Sequence, residues 1–184
     1  MSVRKILIYP EPFLRKKAEP VERVDSAVKA LIDDMVETMY YGRGLGLAAP
    51  QVGVCKRVIV LDVPESRDES VPEERRPEPR KGVNLLKLVN PEIIEASGEI
   101  RFEEGCLSLP GVTAEVKRAA EVVVRALNED GEPVKIRADG LLAIALQHEI
   151  DHLDGILFID RLSRLKRNMV LRRFKKAMMA EKAL

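Results

Sequence analysis

The stretch LQHEIDHLDG, residues 146–155, holds both histidines of the chain, His148 and His152, with Glu149 between them. On an α-helix, positions four apart project about 40° from one another, so both imidazoles can reach one ion while Glu149 occupies the adjoining flank. HEIDH therefore fits the pattern in which two histidines bind a metal and the glutamate acts as a base toward water. The surrounding LLAIALQHEIDHL, residues 141–153, is apolar around nearly its whole circumference except at Gln147, His148, Glu149, Asp151 and His152. Such a helix is predicted to lie buried at the centre of a domain. Burying two imidazoles and a carboxylate there is costly unless something pairs them. A metal satisfies that demand better than two histidines bonded to backbone or solvent.

A catalytic site usually adds a third protein ligand and keeps one position open. No histidine follows His152, which excludes the HExxHxxGxxH arrangement. A glutamate from a following helix would make the site thermolysin-like. The better candidate lies upstream in EEGCLSLPG, residues 103–111, where Gly105 loosens the backbone and Pro110 prevents a helix, so that Cys106 can be presented on a turn. A thiolate beside two imidazoles suits a borderline ion such as Fe(II), Zn, Ni or Co, and residue types alone do not choose among them. The other cysteine, Cys55, reads as a buried free thiol, and two cysteines are too few for a disulfide framework.

A third stretch, GLGLAAPQVG at residues 44–53, carries little side-chain bulk at Gly44, Gly46, Ala48 and Ala49. A substrate backbone could lie against it, with Gln51 offering a neutral amide, although a tight turn accounts for the glycines equally well. Its setting lacks the strand-then-helix context of a nucleotide fingerprint.

These residues need elements to hold them. From Asp25 to Tyr41, Val28, Leu31, Ile32, Met35 and Met39 recur at helical spacing, with Asp25 or Ser26 to cap the start and Gly42 to end it. RVIVLDV at 57–63, LLKLVNPEIIEA and GEIRFEEG read as strands, and VVVRALNEDGEPVKIRA as a hairpin turning at NEDG. ILFID, after Gly155, is expected to be a short extended piece. The expected fold class is α+β: antiparallel sheets around a buried central metal-binding helix, with a C-terminal helix.

The chain's 184 residues, 46% of them hydrophobic, suggest one domain spanning 1–184. PESRDESVPEERRPEPRKG, residues 64–82, is too charged and proline-rich for core and reads as a surface insertion. With 31 basic and 30 acidic residues, no global field draws the molecule to nucleic acid or membrane. No run approaches the roughly 20 apolar residues of a spanning helix, and no signal peptide is evident, so a cytoplasmic protein is expected. The exception to charge balance is RLSRLKRNMVLRRFKKAMMAEKAL, which has nine lysines and arginines against Glu181. Over 163–184 it reads as a basic helix packing a stripe of Leu162, Leu165, Met169 and Met178 on the body.

Taken in order, GLGLAAPQ, EGCLS and QHEIDH resemble the three signature motifs of the peptide deformylases. PEPFLRKKAEPV and HLDGILFIDRL extend the resemblance over most of the chain, while the 64–82 insertion departs from the compact members. The resemblance implies removal of the N-terminal formyl group from new polypeptides that begin with formylmethionine. It implies one divalent ion, natively Fe(II), held by Cys106, His148 and His152, with Zn, Ni or Co able to replace it. Glu149 would carry the proton from water to the departing amine, and Gln51 with the backbone N–H of Leu107 would stabilise the oxyanion. Gly46 would pair with the substrate backbone, with Gly105 beside the formamide. Leu141, Ile144 and Ala145 precede His148 by seven, four and three positions on the ligand side of the helix. With Leu45 and Phe102 they could line the methionine pocket, or serve simply as core. In related deformylases a C-terminal helix docks at the ribosome, which would suit the basic helix here.

Two rivals remain at this level. A zinc endopeptidase needs the same ion, water and glutamate, and differs in cysteine ligation and in the tight loop that favours a chain end. A non-catalytic metal-binding or ribosome-binding protein would normally close its site with four ligands.

Overall fold

The computed structural model describes residues 2–64 and 81–181. The charged insertion, apart from its ends, lies outside the described residues. Helix α1 spans Ser26–Tyr41, and its start is fixed by the Asp25 carboxylate, which accepts from the Val28 N–H at 2.9 Å. The five apolar residues read at helical spacing are all buried on one side of it.

Strands β1 (Gly46–Ala48), β2 (Val58–Asp62), β3 (Leu85–Ser97), β6 (Glu121–Leu127) and β7 (Pro133–Asp139) form an antiparallel sheet in the order β1-β2-β3-β6-β7. β4 (Ile100–Cys106) and β5 (Leu109–Arg118) form a separate two-stranded sheet. The continuous apolar run in β2 follows from helices on both faces of the larger sheet. Ile59 and Leu61 face helix α2 (Gly140–Leu153), whereas Val58 and Val60 face α1. Alternating strand residues thus serve two cores. β3 departs from regular pairing around Pro91, which has no N–H to give. Next to it, Asn90 adopts φ 52° and exchanges two 2.8 Å side-chain hydrogen bonds with the Val21 backbone, tying the N-terminal segment to the bend.

α2 runs between the large sheet and the β4–β5 hairpin, which accounts for apolar residues on nearly every side. Its Gln147 amide accepts from the Ala119 N–H at 3.0 Å and donates to the Ala119 carbonyl at 2.9 Å, fastening the helix to the β5–β6 connection. The architecture is α+β with antiparallel sheets and a C-terminal helix, α3, at Arg164–Glu181.

Two local expectations are corrected, and one strand is added to those read from the sequence. ILFID is not extended throughout: Phe158–Arg161 form a 3-10 turn, closed by the Asp160 carboxylate accepting from the Leu157 N–H. The segment LPGVTAEVKR is a full strand, paired along its length with β4. On α3, Leu165 and Met169 point outward, 72% and 46% exposed, while Val170 and Phe174 are buried and Met178 packs beside them. Residues 170, 174 and 178 are each four apart, so the β-branched and aromatic residues set the buried stripe and rotate Leu165 away from it.

Candidate metal centre and active site

The three motif segments converge on the inner end of a cleft of about 500 Å³. The β4–β5 register slips between Gly105 and Cys106, so Gly105 faces Thr113 while Cys106 pairs with Leu109 across a two-residue turn. That bulge delivers the Cys106 thiol to α2. Ligand atoms of Cys106, His148 and His152 all lie within 4.8 Å of one another, and Cys106 Sγ is 3.2 Å from His152 Nε2. His148 is oriented from behind: its Nδ1 meets Glu104 Oε2 at 2.8 Å, which leaves Nε2 to face the cluster.

Glu104 is itself held in a buried ion network. Arg118 donates to both of its oxygens, at 2.7 and 2.9 Å, and also to Asp151, which in turn accepts from Arg161. Burial raises the Glu104 pKa, but the hydrogen bonds from Arg118 and His148 outweigh it and bring the carboxyl to about 2. The carboxylate that steadies His148 is therefore ionised across the working pH range. For the histidines, burial opposes charge on both rings. On His148, contacts with Cys106 and Glu104 prevail and raise its pKa well above 6.5. On His152, burial and the charge of His148 push the same way, well below 6.5.

Glu149 is 5% exposed, and its Oε2 has no hydrogen-bond partner among the described residues. Burial pushes its carboxyl up to about 7, against the pull of the His148 charge. The opposite wall is β1. A Cβ placed on Gly46 would lie 2.5 Å from Glu149 Oε1, and one on Gly44 would lie 2.7 Å from Leu107 Cδ1. The missing bulk at these glycines accommodates the protein's own Glu149 and Leu107, a packing reason that the spacing of GLGL does not reveal. Gln51 is 2% exposed, and its orientation is set by the Ala48 N–H, which donates to Oε1 at 2.9 Å. Its Nε2 is thereby aimed at Ser108 Oγ, 3.1 Å away, and at Cys106 Sγ, 3.5 Å away.

Leu45, Phe102, Gly105, Leu107, Leu141, Ile144 and Ala145 line the same cleft as Gly46, Gln51, Cys106, His148 and Glu149. Ile144 is buried, whereas Leu45 and Phe102 are 43% and 40% exposed at the mouth. Both cysteines are free, and Cys55 is half-buried, 3.4 Å from the Lys17 carbonyl, rather than sealed in the core.

A sequence profile described as Polypeptide deformylase matches residues 3–168. The chain belongs to the peptide deformylase family. It is 49% identical to a peptide deformylase of Thermodesulfovibrio yellowstonii over 176 residues, 95% of this chain and 98% of that one. A peptide deformylase of Agrobacterium fabrum is 46% identical over 182 residues, 98% and 99% of the two chains. The fold agrees with the crystal structure of a peptide deformylase from Legionella pneumophila, at TM-score 0.84 and 46% identity over 98% of each chain. The chain is thus a hydrolase that acts on nascent polypeptides beginning with formylmethionine, in a metal-dependent family whose requirement the Cys106, His148 and His152 group is suited to meet. Among the described residues, no helix is long and apolar enough to cross a membrane.

Reasoning from sequence missed Glu104, Arg118, Asp151, Arg161 and Ser108. Glu104 and Asp151 had a signal, since both lie inside the motif segments and a buried carboxylate requires a cation. Arg118 had none, because it meets Glu104 only across the β4–β5 pairing.

Proposed function

We propose that Cys106, His148 and His152 hold one divalent ion, natively Fe(II), and that the cleft hydrolyses the formamide of N-formylmethionyl chains. The donor set supports this fit: one thiol, His148 Nε2 freed by the Glu104 bond, and His152 Nε2 beside the sulfur. Zn, Ni or Co would satisfy the same donors. Bound there, such an ion supplies Lewis acidity and lowers the pKa of a coordinated water.

The chain's own residues do the rest. Glu149 takes the proton of the attacking water as its oxygen bonds to the formyl carbon. It then passes that proton to the nitrogen as the C–N bond breaks, releasing formate and a free methionyl amine. Charge developing on the formyl oxygen is met by Gln51 Nε2, which the Ala48 N–H holds in the donating orientation, and by the Leu107 backbone N–H. β1 is an edge strand, so Gly46 has backbone groups free to pair with an extended substrate, with Gly105 across from it. Leu45, Phe102, Leu141, Ile144 and Ala145 receive the methionine side chain. The catalytic unit is a single domain over 1–184, working in the cytoplasm, with the basic α3 as a contact to the ribosome.

One observation carries this reading: a buried carboxylate with a free oxygen, Glu149 Oε2, beside three converging metal donors. The test is hydrolysis of formyl-Met-Ala-Ser by anaerobically prepared protein, wild type beside Glu149→Ala, with metal content measured on both. Turnover reduced by at least about 10²-fold at equal metal occupancy is expected. An inactive, metal-replete wild type would overturn the assignment.

A further inference from the structure

The cleft's walls hold five ionisable side chains besides Cys106: Arg43, Glu103, Glu104, His148 and Glu149. Glu104, His148 and Glu149 are buried at its inner end, which leaves Arg43 and Glu103 as the exposed charges. Glu103 already accepts a 2.5 Å hydrogen bond from the Thr113 hydroxyl. The Arg43 side chain makes no hydrogen bond or ion pair among the described residues, while its backbone N–H donates to the Tyr40 carbonyl at 3.1 Å and it stands at φ 56°, a left-handed position that a long side chain rarely adopts. Among the described residues, then, no polar partner accounts for this exposed guanidinium.

Its distance from the chemistry can be read along the wall. Gly46 abuts Glu149, and Arg43 lies three residues before it. At about 3.3 Å per residue, a substrate strand alongside β1 reaches Arg43 no more than about 10 Å from the scissile formamide, opposite the residues that follow methionine. The far lip adds to the positive field. Ala177 of α3 lies 3.6 Å from where a Cβ on Gly111 would sit, and Gly111 lines the cleft. Exposed Arg173 is one turn before Ala177 on the same side of α3.

We infer that Arg43 is a specificity-determining residue that selects nascent chains carrying an acidic side chain at the second or third position. This rests on the deformylase reading of the same cleft, and deepens it by naming a substrate class. An exposed ion pair changes affinity only a few-fold, so Glu and Lys peptides should differ about fivefold in kcat/KM, mainly through KM.

The test compares formyl-Met-Glu-Ser and formyl-Met-Ala-Glu with their Lys and Gln counterparts at low salt, then in about 1 M salt, where the screening length falls to about 3 Å. Only ratios within one preparation are used, so folding and metal content cancel. At either position the Glu/Lys ratio should be about five, fall toward one in high salt and in Arg43→Asn, which tolerates the positive φ, and drop below one in Arg43→Glu. A wild-type ratio within twofold of one at both positions, or a ratio that Arg43→Asn leaves unchanged, would overturn the inference while leaving the deformylase reading intact. Failure to cleave any of the peptides, Gln included, would overturn both.

Discussion

Gly46→Ala tests the geometry of the proposed base without touching a proposed metal donor. The new methyl would stand 2.5 Å from Glu149 Oε1, 2.8 Å from Cδ and 2.9 Å from Cγ, and these three are its nearest neighbours. Ordinary contact begins near 3.4 Å, so the carboxylate must retreat by about 0.9 Å. Glu149 is only 5% exposed, so the retreat has to be taken up inside the packed inner end of the cleft. A displacement near 1 Å of a proton-transferring group costs about 10²-fold in rate, or about 2.7 kcal/mol of barrier. The backbone of Gly46 needs no glycine conformation, so the fold should persist, and Cys106, His148 and His152 are not its closest contacts. The assay is kcat/KM on a short formyl peptide, with metal content and thermal midpoint on the same samples. Gly44→Ala is the comparison, since its closest approach, 2.7 Å, is to the flexible end of Leu107, with the Gly46 carbonyl next at 3.2 Å, and it should cost less than Gly46→Ala. Gly46→Ala activity within about threefold of wild type, at equal metal, would refute the claim that Glu149 works from this position.

Two further outcomes follow from the surroundings of the site. Glu104→Gln removes the charge that orients His148, and metal affinity should fall about 10- to 100-fold, measured by competition with a chelator; unchanged affinity would reduce Glu104 to a packing role. Removing residues from 163 onward should weaken salt-dependent binding to ribosomes while a short formyl peptide is still cleaved, and equal affinity of both forms would retire α3 as the contact. Because Val170 and Phe174 are buried against the body, substituting Arg172 and Lys176 by Gln in the full-length chain separates lost charge from lost packing.

What could be read from the chain depends on how local the cause is. α1 was legible because its apolar stripe and its Asp25 cap are both local in sequence. The path of α2 was legible because an all-round apolar helix has to be enclosed. Strand β5 also carries a local signal, Val112, Ala114 and Val116 alternating with Thr113, Glu115 and Lys117, which the turn residues Pro110 and Gly111 at its start obscure. The stripe on α3 was misread by choosing the most apolar residues instead of those in phase with Val170 and Phe174. At the site, residue types and spacing brought forward the three candidate donors, and the structure places their ligand atoms together. They left out what holds the donors, since Arg118 reaches Glu104 and Asp151 from separations of 14 and 33 residues.

That asymmetry has a physical origin. A group that does chemistry must be of a particular type, so it stands out as an unusual residue in an apolar context. A group that orients it need only supply complementary charge from wherever the fold permits. Arg118 is 4% exposed, and such a buried cation contributes little net stability, because the desolvation of each partner nearly offsets their attraction. Its effect is better sought in geometry. Arg118 fixes Glu104 in the ionised state, Glu104 fixes the His148 ring, and Asp151, three residues after His148 and next to His152 on α2, joins the same arginine. An ion pair that is nearly neutral for folding can therefore be decisive for where a ligand nitrogen points. By this argument, replacing Arg118 disturbs the metal centre more than the fold provided that Glu104 and Asp151 are neutralised with it, since the charges left unpaired would otherwise dominate.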